Sequence, residues 1–226
     1  MRILGVDDAG RGCVIGPLVV AGVLIDESSQ SELLELGVRD SKLLSRRRRK
    51  QLFEGIKRIA IATHVVKVSP AEIDKVVNSR RRLHKLNRLE AQAMAKVIRA
   101  LRPDVAIVDA SDVLADRYRR HITELLSFQV KVISEHKADK NYPVVSAASI
   151  IAKVERDDSI ETLKAQHGDF GSGYMTDLKT KVFIESLIEE CGVYPDFVRC
   201  SWKPAKEAKM NAGTKQTKLH RRMAKA

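Results

Sequence analysis

Four carboxylates sit where apolar runs give out. Asp7 and Asp8 follow Ile3-Leu4-Gly5-Val6, Asp109 ends "VAIVD", and Asp139 lies just past "VKVI" inside "EHKADKNYP". In an open α/β sheet, ligands gather beyond the carboxyl ends of strands. Three strand ends could therefore bring four acids to one place. Like charges that close repel, and burying them bare is costly. Divalent cations remove the cost. A donor set of hard oxygens without cysteine or histidine selects magnesium or manganese over zinc. A pair of such ions about 4 Å apart is suited to phosphodiester hydrolysis. Taken singly, each aspartate is more often a cap for N–H groups at a strand end. The Asp7-Asp8 pair is harder to dismiss. Neighbouring strand residues point to opposite faces, so both side chains reach one site only if the strand has already ended.

Behind the pair comes Gly10-Arg11-Gly12. Glycines let a backbone approach a ligand closely, near enough to read a ribose 2′-hydroxyl. Arg11 has the geometry to hold a phosphate. A plain turn carrying a solvated arginine is the simpler alternative.

These groups need a scaffold. Residues 2 to 7 read as a strand, and 13 to 25 ("CVIGPLVVAGVLI") as a second, bent at Gly16-Pro17. Ser45 is placed to cap a basic helix, and residues 61 to 68 read as a third strand. Ser69-Pro70-Ala71-Glu72 has the form of a capping box with proline at the first helical position. Leu83, Leu86, Leu89, Ala93, Val97 and Leu101 give helical spacing over 83 to 101. Residues 104 to 111 and 128 to 139 read as parallel strands. Residues 143 to 165 and 176 to 190 read as helices, the latter stopped by Gly192. Early strands without intervening helices, then strands alternating with helices, predict an α/β mixed sheet flanked by helices.

The 226 residues carry 41 Lys and Arg against 29 Asp and Glu, a net charge of +12, which favours a polyanionic partner. Arg46 to Lys50 and Arg80 to Arg82 are candidate backbone-tracking patches. The six histidines form no ligand set. Apolar runs are too short to span a membrane, and no signal peptide is expected. Three cysteines without metal-ligand spacing fit reduced thiols in a cytoplasmic protein.

Several stretches together resemble one family, the type 2 ribonucleases H, in its archaeal branch. "GVDDAGRGCVIGPLVVAGV" is similar to its opening motif, Asp-Glu-Ala-Gly-Arg-Gly followed by Ile-Gly-Pro-Leu-Val. "VRDSKLLS", "LNRLEA", "EHKADKNYPVVSAASIIAKVERD", "GDFGSGYMTD" and "VRCSWKP" resemble further family blocks in order, across about residues 1 to 204. The resemblance implies a ribonuclease H-like five-stranded mixed sheet flanked by helices, with a helical C-terminal region. It implies a catalytic domain over 1–175 and helices over 176–204, while composition, basic and poor in large apolar groups, predicts a mobile tail over 205–226. It puts metal-binding, catalytic acids at Asp7, Asp8, Asp109 and Asp139, holding Mg²⁺ or Mn²⁺, and a 2′-hydroxyl reader at Gly10, Arg11 and Gly12. It puts a tyrosine that packs on the sugar at the ribonucleotide–deoxyribonucleotide junction at Tyr174. Backbone contacts fall on Lys42, Ser146 and Lys153. The implied activity is hydrolysis of the RNA strand of RNA–DNA hybrids and cleavage 5′ of ribonucleotides in duplex DNA, leaving 3′-hydroxyl and 5′-phosphate ends, by a monomer.

Two departures stand out. Asp8 occupies a position where the family has glutamate, so its reach is shorter by about 1.5 Å. "QTKLHRRM" (216 to 223) has Gln216 and Leu219 but lacks the aromatic of a sliding-clamp motif, so clamp contact is doubtful. Two rival classes follow. An actin-like phosphotransferase needs a second domain and a second Asp-x-Gly strand, which are missing. A non-catalytic or weakly active hybrid-binding protein has only Asp8 in its favour.

Overall fold

The computed structural model describes residues 1–38, 44–80 and 83–223. Along the chain come β1 (Arg2–Ala9), β2 (Leu18–Asp26), α1 (Gln30–Leu36), α2 (Arg46–Ile59), β3 (Ala62–Val68), α3 (Pro70–Val77) and α4 (Lys85–Leu101). Then follow β4 (Val105–Asp109), α5 (Ala115–Thr123), β5 (Lys131–Glu135), α6 (Ala138–Asn141), α7 (Pro143–His167), α8 (Leu178–Cys191) and α9 (Lys203–Met223). The strands form one sheet in the order β3-β2-β1-β4-β5. β2 runs antiparallel to β1 and β3, while β1, β4 and β5 are mutually parallel. This is the mixed sheet the strand pattern predicts.

The chain divides into two compact units. The first comprises Met1–Arg11, Leu18–Val68 and Arg80–Asp158, and it contains the whole sheet. Two glycines fix its layers. A Cβ on Gly5 would lie 2.3 Å from the backbone oxygen of Val144, so the first turn of α7 presses directly on β1. A Cβ on Gly22 would lie 2.3 Å from Val97 Cγ1, so α4 presses on the other face. The odd-numbered residues Ile3, Val23, Ile25, Val105 and Ile107 share a core with Val144, Val145, Ala148 and Ile151 of α7. The alternation of a strand thus sends odd β1 residues toward α7 and even ones toward α4.

The second unit comprises Gly12–Pro17, Ser69–Ser79 and the chain from Ser159 onward. Its core joins Val14 and Ile15 to Ile160, Phe170, Ile184, Phe197 and Val198. Arg199 is fully buried and donates through Nε and Nη2 to the Gly16 carbonyl, at 3.1 and 3.0 Å.

Local signals are realised where they are self-contained. Ser45 Oγ accepts from the Arg48 amide at 3.2 Å. Ser69 and Glu72 form the full capping box that starts α3. Gly192, at φ +69°, ends α8. Several boundaries differ from expectation: β1, expected over 2 to 7, runs to Ala9 because it stays paired with β2 there. The strand expected over 13 to 25 begins only at Leu18, because Gly16 at φ +87° turns the chain and Val14–Ile15 pack into the second unit instead. The strand expected over 128 to 139 shortens to Lys131–Glu135, since Lys137 at φ +59° opens the four-residue α6. The basic stretch from 205 is helical through Met223. No described helix is long and apolar enough to cross a membrane. Cys13, Cys191 and Cys200 form no disulfide.

Candidate active site

β1 continues through Asp7 and Asp8 to Ala9, so the two carboxylates leave opposite faces of the strand. Asp7 points to the α7 face. There Ser149 hydrogen-bonds its carboxyl and the Lys153 ammonium lies close enough to attract it. Lys153 in turn donates to Ser149 Oγ, one helical turn before it. β4 pairs with β1 in parallel, Val6 against Val108, so Asp109 stands one step further along, beside Asp7 on the same face. Asp109 Oδ1 accepts the Ala138 amide at 2.8 Å, which ties the end of β4 to the first turn of α6. Asp139, 4% exposed, is the next residue. The last residues of β1, the end of β4 and the first turn of α6 therefore bring Asp7, Asp109 and Asp139 to one end of the parallel strands.

Burial decides the electrostatics. Asp7 is 5% exposed. Its carboxyl is pushed up to about 8, first by loss of solvent and then by the charges of Asp8 and Asp109, with Lys153 and Ser149 acting in the opposite direction. A carboxyl that resists ionisation in this way is one that a bound cation would relieve. The donors are hard oxygens, which fits Mg²⁺ or Mn²⁺ in kind. Among the described residues, no three His, Cys, Asp or Glu side chains yet converge at coordinating distance. The acids stand as neighbours, and a cation would have to draw them in.

Asp8 belongs to a different network. Ser111 Oγ stands between two carboxylates, 3.3 Å from Asp8 Oδ2 and 3.0 Å from Glu90 Oε1, with a single proton to donate to the nearer Glu90. Burial, then the Glu90 carboxylate beside it, raise Asp8 well above the usual range. Glu90 is fully buried on α4. Arg11 also turns inward to α4, donating from Nε to Glu90 Oε2 at 3.2 Å and from Nη2 to Asn87 Oδ1 at 2.7 Å. Asn87 and Glu90 fall in "LNRLEA", a block noticed for its resemblance but given no role at the site. Their i, i+3 spacing on a helix next to the sheet was the available signal. Glu135, paired with Asp109 across β4 and β5, is a further acid on the α7 face, and it accepts the Tyr142 hydroxyl at 2.9 Å.

The remaining candidates lie as follows. Gly10 takes φ +85°, a conformation that favours glycine. In the second unit, Gly12 faces Tyr174, whose Cε1 would be 3.9 Å from a Cβ placed there. Ser146 donates its hydroxyl to the Val38 carbonyl. With Asp139, Lys140 and Asn141, Ser146 lines a cleft of about 400 Å³. Lys42 lies outside the described residues. The basic run of α2 is partly neutralised by the C-terminal acids of the sheet unit. Arg49 meets Asp157 at 2.9 Å, and Lys50 meets Asp158 at 2.9 Å.

The strand order and the flanking helices define a ribonuclease H-like protein. Residues 4–205 match the family model for Ribonuclease HII. Ribonuclease HII of Pyrococcus furiosus is 44% identical over 221 residues, covering 97% of this chain and 96% of that protein. The ribonuclease H2 structure from Pyrococcus horikoshii OT3 is similar with a TM-score of 0.86 and 42% identity, over 94% of this chain and 99% of the other. RNase HII from Archaeoglobus fulgidus, solved in a complex with PCNA, gives a TM-score of 0.81 at 44% identity, over 90% and 96%. The chain belongs to the ribonuclease HII family and is an endoribonuclease with ribonuclease H activity.

Proposed function

We propose that the enzyme hydrolyses the RNA strand of RNA–DNA hybrids and cuts 5′ of ribonucleotides embedded in duplex DNA, leaving 3′-hydroxyl and 5′-phosphate ends. The observation that carries this reading is the buried Asp7 beside Asp109 on one face of the sheet, its carboxyl held near 8 by burial and neighbouring charge. Asp7, Asp109 and Asp139 would hold Mg²⁺ or Mn²⁺, and Asp8 would complete the set only by turning away from Ser111 and Glu90 on the opposite face of β1. Ions bound there would supply an activated water and charge stabilisation of the leaving oxygen. The chain's own residues orient these donors. Ser149 and Lys153 hold the Asp7 carboxyl from α7, and the Ala138 amide holds that of Asp109. The cleft beside Asp139 and Ser146 offers room for the nucleic-acid backbone. The +12 charge favours binding without sequence choice. PCNA contact, known for the Archaeoglobus relative, would fall to the C-terminal stretch with Gln216 and Leu219, where the aromatic is missing. The direct test is incubation with a duplex carrying one ribonucleotide, in Mg²⁺, Mn²⁺ or EDTA, with the ends mapped. Cleavage in EDTA, or 3′-phosphate ends, contradicts the reading.

A second reading, a weakly active hybrid-binding protein, draws on Asp8 and its engagement with Ser111 and Glu90. Metal titrations separate the two. Mg²⁺ demands near-ideal octahedral geometry, so a shortened side chain should penalise it more than Mn²⁺. Asp8→Glu is expected to raise the Mg²⁺ rate relative to the Mn²⁺ rate, and Asp8→Ala to lose most activity in both. Full Mg²⁺ activity in Asp8→Ala removes this side chain from the metal site.

Tyr174 is proposed to pack on the sugar at the ribonucleotide junction. Tyr174→Ala should weaken cleavage at single ribonucleotides by roughly 1–3 kcal/mol, the range for aromatic stacking on nucleic acid. The measurement is kcat/KM on a single-ribonucleotide duplex, and an unchanged value rules the role out.

A further inference from the structure

The Arg11 side chain is 38% exposed, yet its guanidinium is engaged by the protein. Two of its donors are committed to α4, to Glu90 at 3.2 Å and Asn87 at 2.7 Å. Each gripping residue is itself fixed from behind. The second oxygen of Glu90 takes the Ser111 hydroxyl at 3.0 Å. The Asn87 amide donates to Asp112 Oδ2 at 2.9 Å, and Asp112 is held by a bidentate pair with Arg117. Asp112 is buried to 1% exposure and Glu90 to 0%. A planar fork held at two points by fixed acceptors is restrained in direction. The same turn carries Gly10 at φ +85°, a conformation that favours glycine, so the restraint on Arg11 bears on a backbone that no other residue type would readily adopt.

We infer that Asn87 and Glu90 are positioning residues: by gripping Arg11 from α4 they hold the Gly10–Arg11–Gly12 backbone in the conformation that distinguishes ribose from deoxyribose. This rests on the reading that the turn contacts the 2′-hydroxyl. Hydrogen-bond readout of a single hydroxyl depends on donor and acceptor placement within a few tenths of an ångström. Loosening the grip should therefore cost selectivity before it costs affinity. Backbone phosphate contacts carry most of the affinity and are spread over many cations.

The experiment measures binding of the full-length protein in EDTA to two duplexes that differ in one sugar, one with a single ribonucleotide and one all-DNA. The proteins compared are the parent, Asn87→Ala, Glu90→Gln, Arg11→Ala, and Arg11→Ala combined with Asn87→Ala. The parent should prefer the ribonucleotide duplex. Asn87→Ala and Glu90→Gln should each reduce that preference about tenfold while the all-DNA Kd stays within about twofold. The double variant should lose no more than Arg11→Ala alone, because both changes break one linkage. A general loss of structure would weaken both duplexes together and leave their ratio unmoved. Absence of any preference in the parent overturns the ribose-reading turn, and this inference with it. A parent preference that persists in Asn87→Ala and Glu90→Gln overturns the positioning role alone. Additive losses in the double variant also overturn it.

Discussion

Asp7→Asn is expected to lower the cleavage rate on the order of 10³-fold or more while duplex binding stays within about twofold. A bound cation stabilises transition-state charge by several kcal/mol, and each 1.36 kcal/mol is about tenfold in rate. Amide for carboxylate removes the charge but keeps the shape, so Ser149 and Lys153 retain a polar neighbour. The same variant has a second readout that does not involve activity. In the cation-free protein the Asp7 carboxyl is pushed up to about 8, against 3.8 for an ordinary aspartate. Below the lower value both folded and unfolded chains are protonated there. Between the two values the unfolded chain has released a proton that the folded chain still holds. Raising the pH therefore favours unfolding across that window, by up to about 1.36 kcal/mol for each pH unit. Asparagine does not titrate. In EDTA the variant should melt above the parent at about pH 8.5, and the gap should close toward about pH 4. Rate measurements in Mg²⁺ and thermal melts at both pH values check the two halves. A variant that cuts at the parental rate removes Asp7 from the reaction. Equal melting at both pH values removes the electrostatic strain.

Gly5→Ala should be the most destabilising single methyl in the sheet unit. The new Cβ would meet backbone, the Val144 oxygen at 2.3 Å and the Val145 nitrogen at 2.6 Å, and backbone cannot rotate out of the way. Overpacking typically costs 1–3 kcal/mol, and a collision with backbone belongs near about 3 kcal/mol. For a chain of this size that is about 6–12 °C in melting temperature. Activity should fall as well, because α7 must move off β1 and it carries Ser149 and Lys153, which face Asp7. Misplacement by about 1 Å can cost about 10²-fold. Gly22→Ala is the control. Its Cβ would meet the Val97 side chain at 2.3 Å, on the α4 face away from Asp7. It should lower the melting temperature with a smaller effect on the rate per folded molecule. The reverse ranking would show that α7 does not set the geometry around Asp7.

What was legible in the sequence was local. The Ser45 cap, the Ser69–Glu72 box and the Gly192 stop are each complete within a few residues, so their physics needs no distant partner. The strand end at Asp109 was legible because an apolar β-branched run that stops at an acid has few other uses, whereas the end expected at Asp7 was not, since β1 runs on to Ala9 through its pairing with β2. The short helices α1 and α5 were passed over, their mixed composition giving weak periodicity. The run from Cys13 to Ile25 looks uniform in hydropathy yet serves two cores, and hydropathy cannot say which core a residue joins.

The sequence by itself determined the family, the charge and the acids at Asp7, Asp8, Asp109 and Asp139, because these are properties of residue type and order. Only the tertiary structure decided which way those acids face. β1 persists through Asp8, so strand alternation sends Asp7 to α7 and Asp8 to Ser111 and Glu90. Arg11 likewise reads in sequence as a free cation and in three dimensions as a fork gripped by Asn87 and Glu90, 76 and 79 residues away. A side chain's direction depends on where its strand ends and what packs above it, and both are set by residues far along the chain.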